Sequence, residues 1–126
     1  MDKCFFCTSV KQKDFLLENE YAIIRMDDYP VNKGHLEVIT KRHIDNLFET
    51  TKEERNAIFE LLEKGKLIIE EKYKPDGYNI GINQGTAAGQ TIMHLHIHLI
   101  PRYKGDVVNP SGGVRGVIRE KQNYWI

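Results

Sequence analysis

The stretch His94-Leu95-His96-Ile97-His98-Leu99-Ile100 decides how the chain is read. Three of the five histidines fall at every second position, with aliphatic residues between them. Side chains alternate faces along a β-strand, so the spacing predicts three imidazoles on one face and Met93, Leu95, Ile97 and Leu99 on the other. A helix would scatter the rings around its circumference and give no common face. The aliphatic face belongs in a core. The histidine face fits a half-buried strand, a metal site or catalysis by imidazole, and the spacing alone does not choose among them.

The approach to this strand narrows the choice. Residues 78–83 alternate as another strand, and the loop Gln84-Gly85-Thr86-Ala87-Ala88-Gly89-Gln90-Thr91 runs from it into the histidines. Small residues let backbone N–H groups approach an anion, and Gln90 and Thr91 add side-chain donors. The loop is neither a Walker loop nor GxGxxG. Its value lies in delivering donors beside three imidazoles.

The remaining segments supply a scaffold. Residues 15–20 and 21–26 read as two strands joined by the polar turn Asn19-Glu20, and residues 35–39 as a third strand followed by Lys41-Arg42-His43. Between them lies Asp27-Asp28-Tyr29-Pro30, a carboxylate pair suited to sugar hydroxyls, to a metal or to a solvated turn. Thr50 with Glu53, or Thr51 with Glu54, forms a capping box. Ile58, Leu61, Leu62, Gly65, Ile68 and Ile69 then mark one amphipathic helix of about 20 residues, stopped by Lys74-Pro75-Asp76-Gly77. It reads as the cover for the apolar sheet face, with Gly65 allowing close approach. Beyond Arg102 periodicity is lost, and the irregular tail 103–126 carries the single tryptophan, Trp125, next to its last residue, a pattern suited to docking near the site or on a partner subunit.

Composition bounds the function classes. The 126 residues make one domain, and 18 basic against 18 acidic side chains leave no field that would draw nucleic acid. No apolar run approaches the ~20 residues of a membrane span, and Met1-Asp2-Lys3-Cys4 does not open a signal peptide, so a cytoplasmic protein is expected. In that compartment Cys4-Phe5-Phe6-Cys7 suits a metal or redox pair better than a structural disulfide. Zinc needs four ligands, and His43 with one triad histidine is the available remainder. Phe5 and Phe6 suit either an aromatic ligand or the core.

The pattern His-φ-His-φ-His-φ-φ (φ aliphatic), preceded by Gly89-Gln90-Thr91, resembles the histidine triad (HIT) family of nucleotide hydrolases and transferases. The resemblance extends to the CxxC, to Gly34-His35, to the long helix and to Asn83. It implies an α+β fold with a five-stranded antiparallel sheet and one long and one short helix, pairing into a homodimer with a ten-stranded sheet. By the same resemblance His96 is the nucleophile that attacks an α-phosphorus to form a nucleotidyl-imidazole intermediate. His98 contacts the α-phosphate oxygens, and His35 buttresses the triad. Asn83, Gly89, Gln90 and Thr91 match positions near the phosphate or leaving group, Asp27 the ribose-binding acid, and Phe6 a residue packed on a base. A structural zinc site is implied at Cys4, Cys7, His43 and His94, with no catalytic metal.

The implied substrate is a purine nucleotide or dinucleotide held in a mostly apolar base pocket. The tail from Gly105 to Arg115 resembles diadenosine polyphosphate hydrolases, which implies cleavage of dinucleoside polyphosphates. Asn83 resembles the phosphoramidate-hydrolysing branch, and a non-catalytic nucleotide-binding module is a further alternative.

Overall fold

A computed structural model describes residues 4–8 and 14–124. Its elements in chain order are α1 (Phe5–Thr8), β1 (Phe15–Glu18), β2 (Ala22–Met26), β3 (Leu36–Thr40), α2 (Lys52–Tyr73), β4 (Gly77–Gly81) and β5 (His96–Arg102). The five strands form one antiparallel sheet in the order β1-β2-β3-β5-β4. This is the α+β arrangement expected from the sequence. Asn19 makes the β1–β2 turn by accepting from the Tyr21 and Ala22 N–H groups. The same side chain donates to the Ala57 carbonyl, tying the turn to α2.

Strand alternation divides the sheet into two unlike faces. Ala22, Ile24, Leu36, Val38, Leu95, Ile97 and Leu99 are buried against Ala57, Ile58, Leu61 and Ile69 of α2. On the other face, Phe6 packs with Ile23 and Ile39 in a smaller cluster. The register runs Ile23–Ile39–His96 and Arg25–Glu37–His98 across β2, β3 and β5. Two charged residues thus share a row with a triad histidine.

The helix begins in the second of the two capping registers. Thr51 accepts from the Glu54 N–H, and Glu54 accepts in return from the Thr51 N–H. The buried Glu54 carboxylate also takes both branches of the Arg42 guanidinium, at 2.9 and 2.8 Å. The Arg42 bonds, reinforced by the Thr51 N–H, outweigh burial and hold this carboxyl at about 2. Gly65 sits where α2 presses on the sheet: a β-carbon there would lie 2.5 Å from Ile24 Cδ1 and 3.2 Å from Leu36 Cδ1. The helix ends with Lys74 in the left-handed conformation (φ 50°) and its N–H on the Glu70 carbonyl.

One expectation needs correction. Regular strand geometry starts at His96 rather than two residues earlier, because residues 92–94 bend before entering β5. Met93 is consequently 42 % exposed and outside the apolar face expected for it. The tail after Arg102 is ordered by Asp106, which accepts from Arg102 Nε and Nη2 at 2.8 Å each and from Asn32 Nδ2 at 2.8 Å. Short 3₁₀ turns follow at Gly113–Val117 and Arg119–Lys121, while Trp125 lies outside the described residues. Among those residues no helix is long and apolar enough to cross a membrane.

Gly65→Ala is expected to lower stability by about 1–3 kcal/mol through overpacking, read as a reduced urea midpoint at unchanged m-value. Glu54 gives a pH signature. Its folded carboxyl sits at about 2 against an ordinary 4.5, so its stabilisation is complete above 4.5 and is lost as pH falls toward 2. Glu54→Gln is expected to flatten the acid limb of the stability profile over that window.

Candidate active site

His94 and His96 are fixed directly by backbone carbonyls, and His98 through His35, whose ring accepts from a backbone N–H. A carbonyl only accepts and an amide N–H only donates, so each contact assigns a proton. His96 Nδ1 lies 2.8 Å from the His94 carbonyl, so that nitrogen carries a proton, and in the neutral ring Nε2 keeps its lone pair. His94 Nε2 lies 2.7 Å from the Thr40 carbonyl, which leaves Nδ1 bare. The Val31 N–H donates to His35 Nδ1 at 3.0 Å, so His35 Nε2–H donates to His98 Nδ1 at 2.9 Å. His98 therefore carries its own proton on Nε2. Burial lowers the proton affinity of His35, His94 and His98, which keeps these rings neutral.

A cleft of about 440 Å³ opens on this face of the sheet. It is lined by His96, His98, Asn83, Gly89 and Thr91. Gly89 has φ 94°, a left-handed turn that favours glycine, and brings the loop alongside the histidines. Phe5, Phe6, Arg25, Asp27, Asp28 and Glu37 complete the lining, with Arg25 farther than Glu37 from His98 along their row of the sheet. Phe6 is buried and sets its ring against His96, centroid to centroid 5.1 Å, at an interplanar angle of 66°. Asp27 accepts from the Tyr29 N–H at 2.8 Å and stands 3.5 Å from His35 Nε2 and 3.8 Å from His98 Nδ1. Burial works against its ionisation, but the Tyr29 bond and neighbouring donors prevail and hold the carboxyl below its ordinary value.

Most residues predicted for the site from sequence meet here; His35 and His94 stand behind the cleft in the supporting and cysteine-facing positions expected of them, and Gln90 departs from its expected role. His35 lies beneath His98 and outside the cleft. His94 turns its free nitrogen away toward the cysteines. Gln90, expected as a donor to phosphate, does not line the cleft. Its carboxamide accepts from the Gly85 N–H and donates to the Asp45 and Ile92 carbonyls, which braces the loop from inside.

Sequence reasoning passed over Arg25 and Glu37. Arg25 Nη1 binds Glu37 Oε2 at 2.5 Å, and Nη2 binds Asp28 Oδ1 at 2.9 Å, with both partners of the first pair buried. Burial and the nearby Asp27 charge raise the Glu37 carboxyl to about 7 despite Arg25. A signal was available: each charge stands two residues from an isoleucine on the same face of an otherwise apolar strand.

A second cluster lies beside the cleft. Cys4 Sγ and Cys7 Sγ each stand 3.5 Å from His94 Nδ1, and His43 Nδ1 stands 3.2 Å from that nitrogen and 3.3 Å from Cys7 Sγ. The four donor atoms lie within 4.8 Å of one another. Two thiols and two imidazoles converging on one point match the tetrahedral donor set of zinc, and the bare Nδ1 of His94 is the form that ligates. Asp27, His35 and His98 also cluster, but the proton between the two rings leaves no pair of lone pairs facing a common centre.

Fold and site together define a small α+β protein that presents two differently hydrogen-bonded imidazoles to one cleft. A family model described as HIT domain matches residues 8–105, and the chain belongs to this family. The Bacillus subtilis protein named Protein hit is 37% identical over 109 residues, spanning 83% of this chain and 75% of that protein. A bis(5'-adenosyl)-triphosphatase from Dictyostelium discoideum is 33% identical over 113 residues, 90% of this chain and 76% of its own length. The AP-4-A phosphorylase of Mycobacterium tuberculosis is 37% identical over 87 residues, which span 68% of this chain but 44% of that enzyme. Among solved structures, a zinc-bound histidine triad family protein from Mycobacterium smegmatis aligns with TM-score 0.74 at 32% identity, covering 85% of this chain and 80% of that one.

The convergent donor set predicts one tightly held thiophilic divalent ion per chain. Elemental analysis by plasma mass spectrometry is expected to find it in the wild type and in His96→Ala, and to lose it in Cys7→Ser. Loss with His96→Ala instead would move the metal into the cleft.

Proposed function

We propose that this protein is a nucleotide hydrolase or transferase that cleaves at the α-phosphate of dinucleoside polyphosphates through a nucleotidyl group on His96. The observation that carries the reading is the pair of opposite hydrogen-bonding roles at Nδ1 of neighbouring rings. With Nδ1 of His96 donating, its neutral form offers a bare Nε2, and with Nδ1 of His98 accepting, that ring offers an Nε2–H one row away on the same face. The first is a nucleophile and the second a donor for a phosphate oxygen.

In the first step Nε2 of His96 bonds to the α-phosphorus and the bond from phosphorus to the leaving phosphate oxygen breaks. The leaving group departs as an anion and needs no proton from the protein. The charge on the nonbridging oxygens is met by His98 and the Thr91 hydroxyl. Water then attacks phosphorus, the phosphorus–nitrogen bond breaks, and the water proton passes to solvent. Asp27 is placed for ribose hydroxyls and Phe6 for the base side of the cleft. Asn83 lines the phosphate end and favours the second reading, hydrolysis of a nucleoside phosphoramidate.

Zinc at Cys4, Cys7, His43 and His94 would join α1, the segment after β3 and the entry to β5, so its role here is structural. Homodimerisation accompanies this reading: β4 is an edge strand and Ile80 on it is exposed.

Diadenosine tetraphosphate and adenosine 5′-phosphoramidate are the substrates to compare, with quenched reactions analysed by intact-protein mass spectrometry. Turnover of either is expected, with a transient mass increase of one nucleotidyl group and a loss on the order of 10³ or more in kcat for His96→Ala. Full activity in His96→Ala would refute the covalent route. Nucleotide binding without turnover would leave a binding module.

A further inference from the structure

The inner wall of the cleft is more polar than an apolar base slot requires. Arg25 is 4 % exposed, its guanidinium stands 5.8 Å from the Phe5 ring centroid, and its two terminal nitrogens are held by Glu37 and Asp28. Its Nε–H is fully buried and, among the described residues, has no acceptor. A buried donor left unpaired is rare and unfavourable, and this one belongs to a residue that lines the cleft. Beside it stands Glu37, a buried carboxyl able to accept N–H groups once ionised. The row Arg25–Glu37–His98 crosses three adjacent strands, so Arg25 lies about two strand spacings, or ~10 Å, from His98. A nucleoside whose phosphate rests on His98 reaches that far.

Resting on the nucleotide reading of the cleft, we infer that Arg25 and Glu37 read the edge of the base and that the site prefers guanine or hypoxanthine to adenine. Guanine offers a carbonyl oxygen to Arg25 and, beside it, ring and exocyclic N–H groups to Glu37. Hypoxanthine offers the same carbonyl and ring N–H. Adenine inverts this order: its amino group would face the arginine donor and its bare ring nitrogen the carboxylate. Two like polar groups then oppose each other at each position, and a site built on hydrogen bonds rejects such an analogue far more strongly than an apolar slot does.

Calorimetric titration of the full-length protein with GMP, IMP, AMP and ribose 5-phosphate tests this. GMP and IMP are expected to bind about tenfold or more tighter than AMP. The double variant Arg25→Leu/Glu37→Leu removes both buried charges together and leaves neither unpaired; in it the GMP-to-AMP ratio is expected to fall to about one. A purely structural role for the pair would change all affinities and leave that ratio in place. Equal binding of GMP and AMP by the wild type, or a ratio unmoved in the double variant, would overturn the inference while the nucleotide reading stands. Failure of all four ligands to bind would overturn both.

Discussion

The hydrogen bond between His96 Nδ1 and the carbonyl of His94 governs the chemistry of the whole site. A neutral imidazole has one proton and two nitrogens, so directing the proton into the backbone commits the other nitrogen to the role of base or nucleophile. The Thr40 carbonyl does the same for His94, and the Val31 amide does the reverse for His35 and, through it, for His98. Three rings two residues apart are thereby held in three different ways: His94 with Nδ1 toward the cysteines, His96 with Nδ1 on a carbonyl, and His98 with Nδ1 accepting from His35. The selecting groups are main-chain atoms, so the protonation pattern is as fixed as the path of β3 and β5.

Everything else in the fold maintains that path. The β5 strand is clamped between β3 and β4 and backed by α2, whose closest approach to the sheet depends on the missing side chain of Gly65. Arg42 is locked to the first turn of α2 through Glu54, which places the next residue, His43, at the cysteine cluster. The Gly89 loop is braced internally by Gln90 and by its own backbone bonds, with the Ala88, Gly89 and Gln90 N–H groups donated to the Gly85 and Thr86 carbonyls, so its path beside the cleft does not depend on ligand. Such preorganisation matters in phosphoryl transfer, where the protein stabilises charge mainly by holding donors still.

Features local in sequence were legible and features set by register were not. The alternation of residues 94–100, the capping box, the glycine in the helix and the Lys74-Pro75-Asp76-Gly77 stop depend on neighbours within a few positions, and each stands where the pattern places it. Met93 failed because a bend, invisible to periodicity, precedes β5. Gln90 failed because a carboxamide in a glycine-rich loop has donors and acceptors to offer in either direction, and only the fold shows that the Gly85, Asp45 and Ile92 backbone groups claim them. Arg25 and Glu37 were missed for a deeper reason. They lie 12 positions apart and meet only because β2 and β3 pair in one register. The four candidate metal ligands sat between these cases: their residue types were readable, and their convergence required the sheet.

The Arg25–Glu37 pair also bears on what the fold gives up for its cleft. Well-packed apolar residues usually stabilise a buried site as well as an ion pair does, because two charges must first be stripped of water. The opposite face of β2 and β3 already holds these strands through Ile24, Leu36 and Val38, so their pairing does not need the charges. An arginine with an unmet Nε–H and a glutamate whose carboxyl is raised to about 7 are stability left unclaimed in the free protein. Groups kept in that condition are commonly found where a ligand completes them. Here the unmet groups share one row of the sheet with His98, so whatever rests on the triad at one end is inspected by a hydrogen-bonding wall at the other.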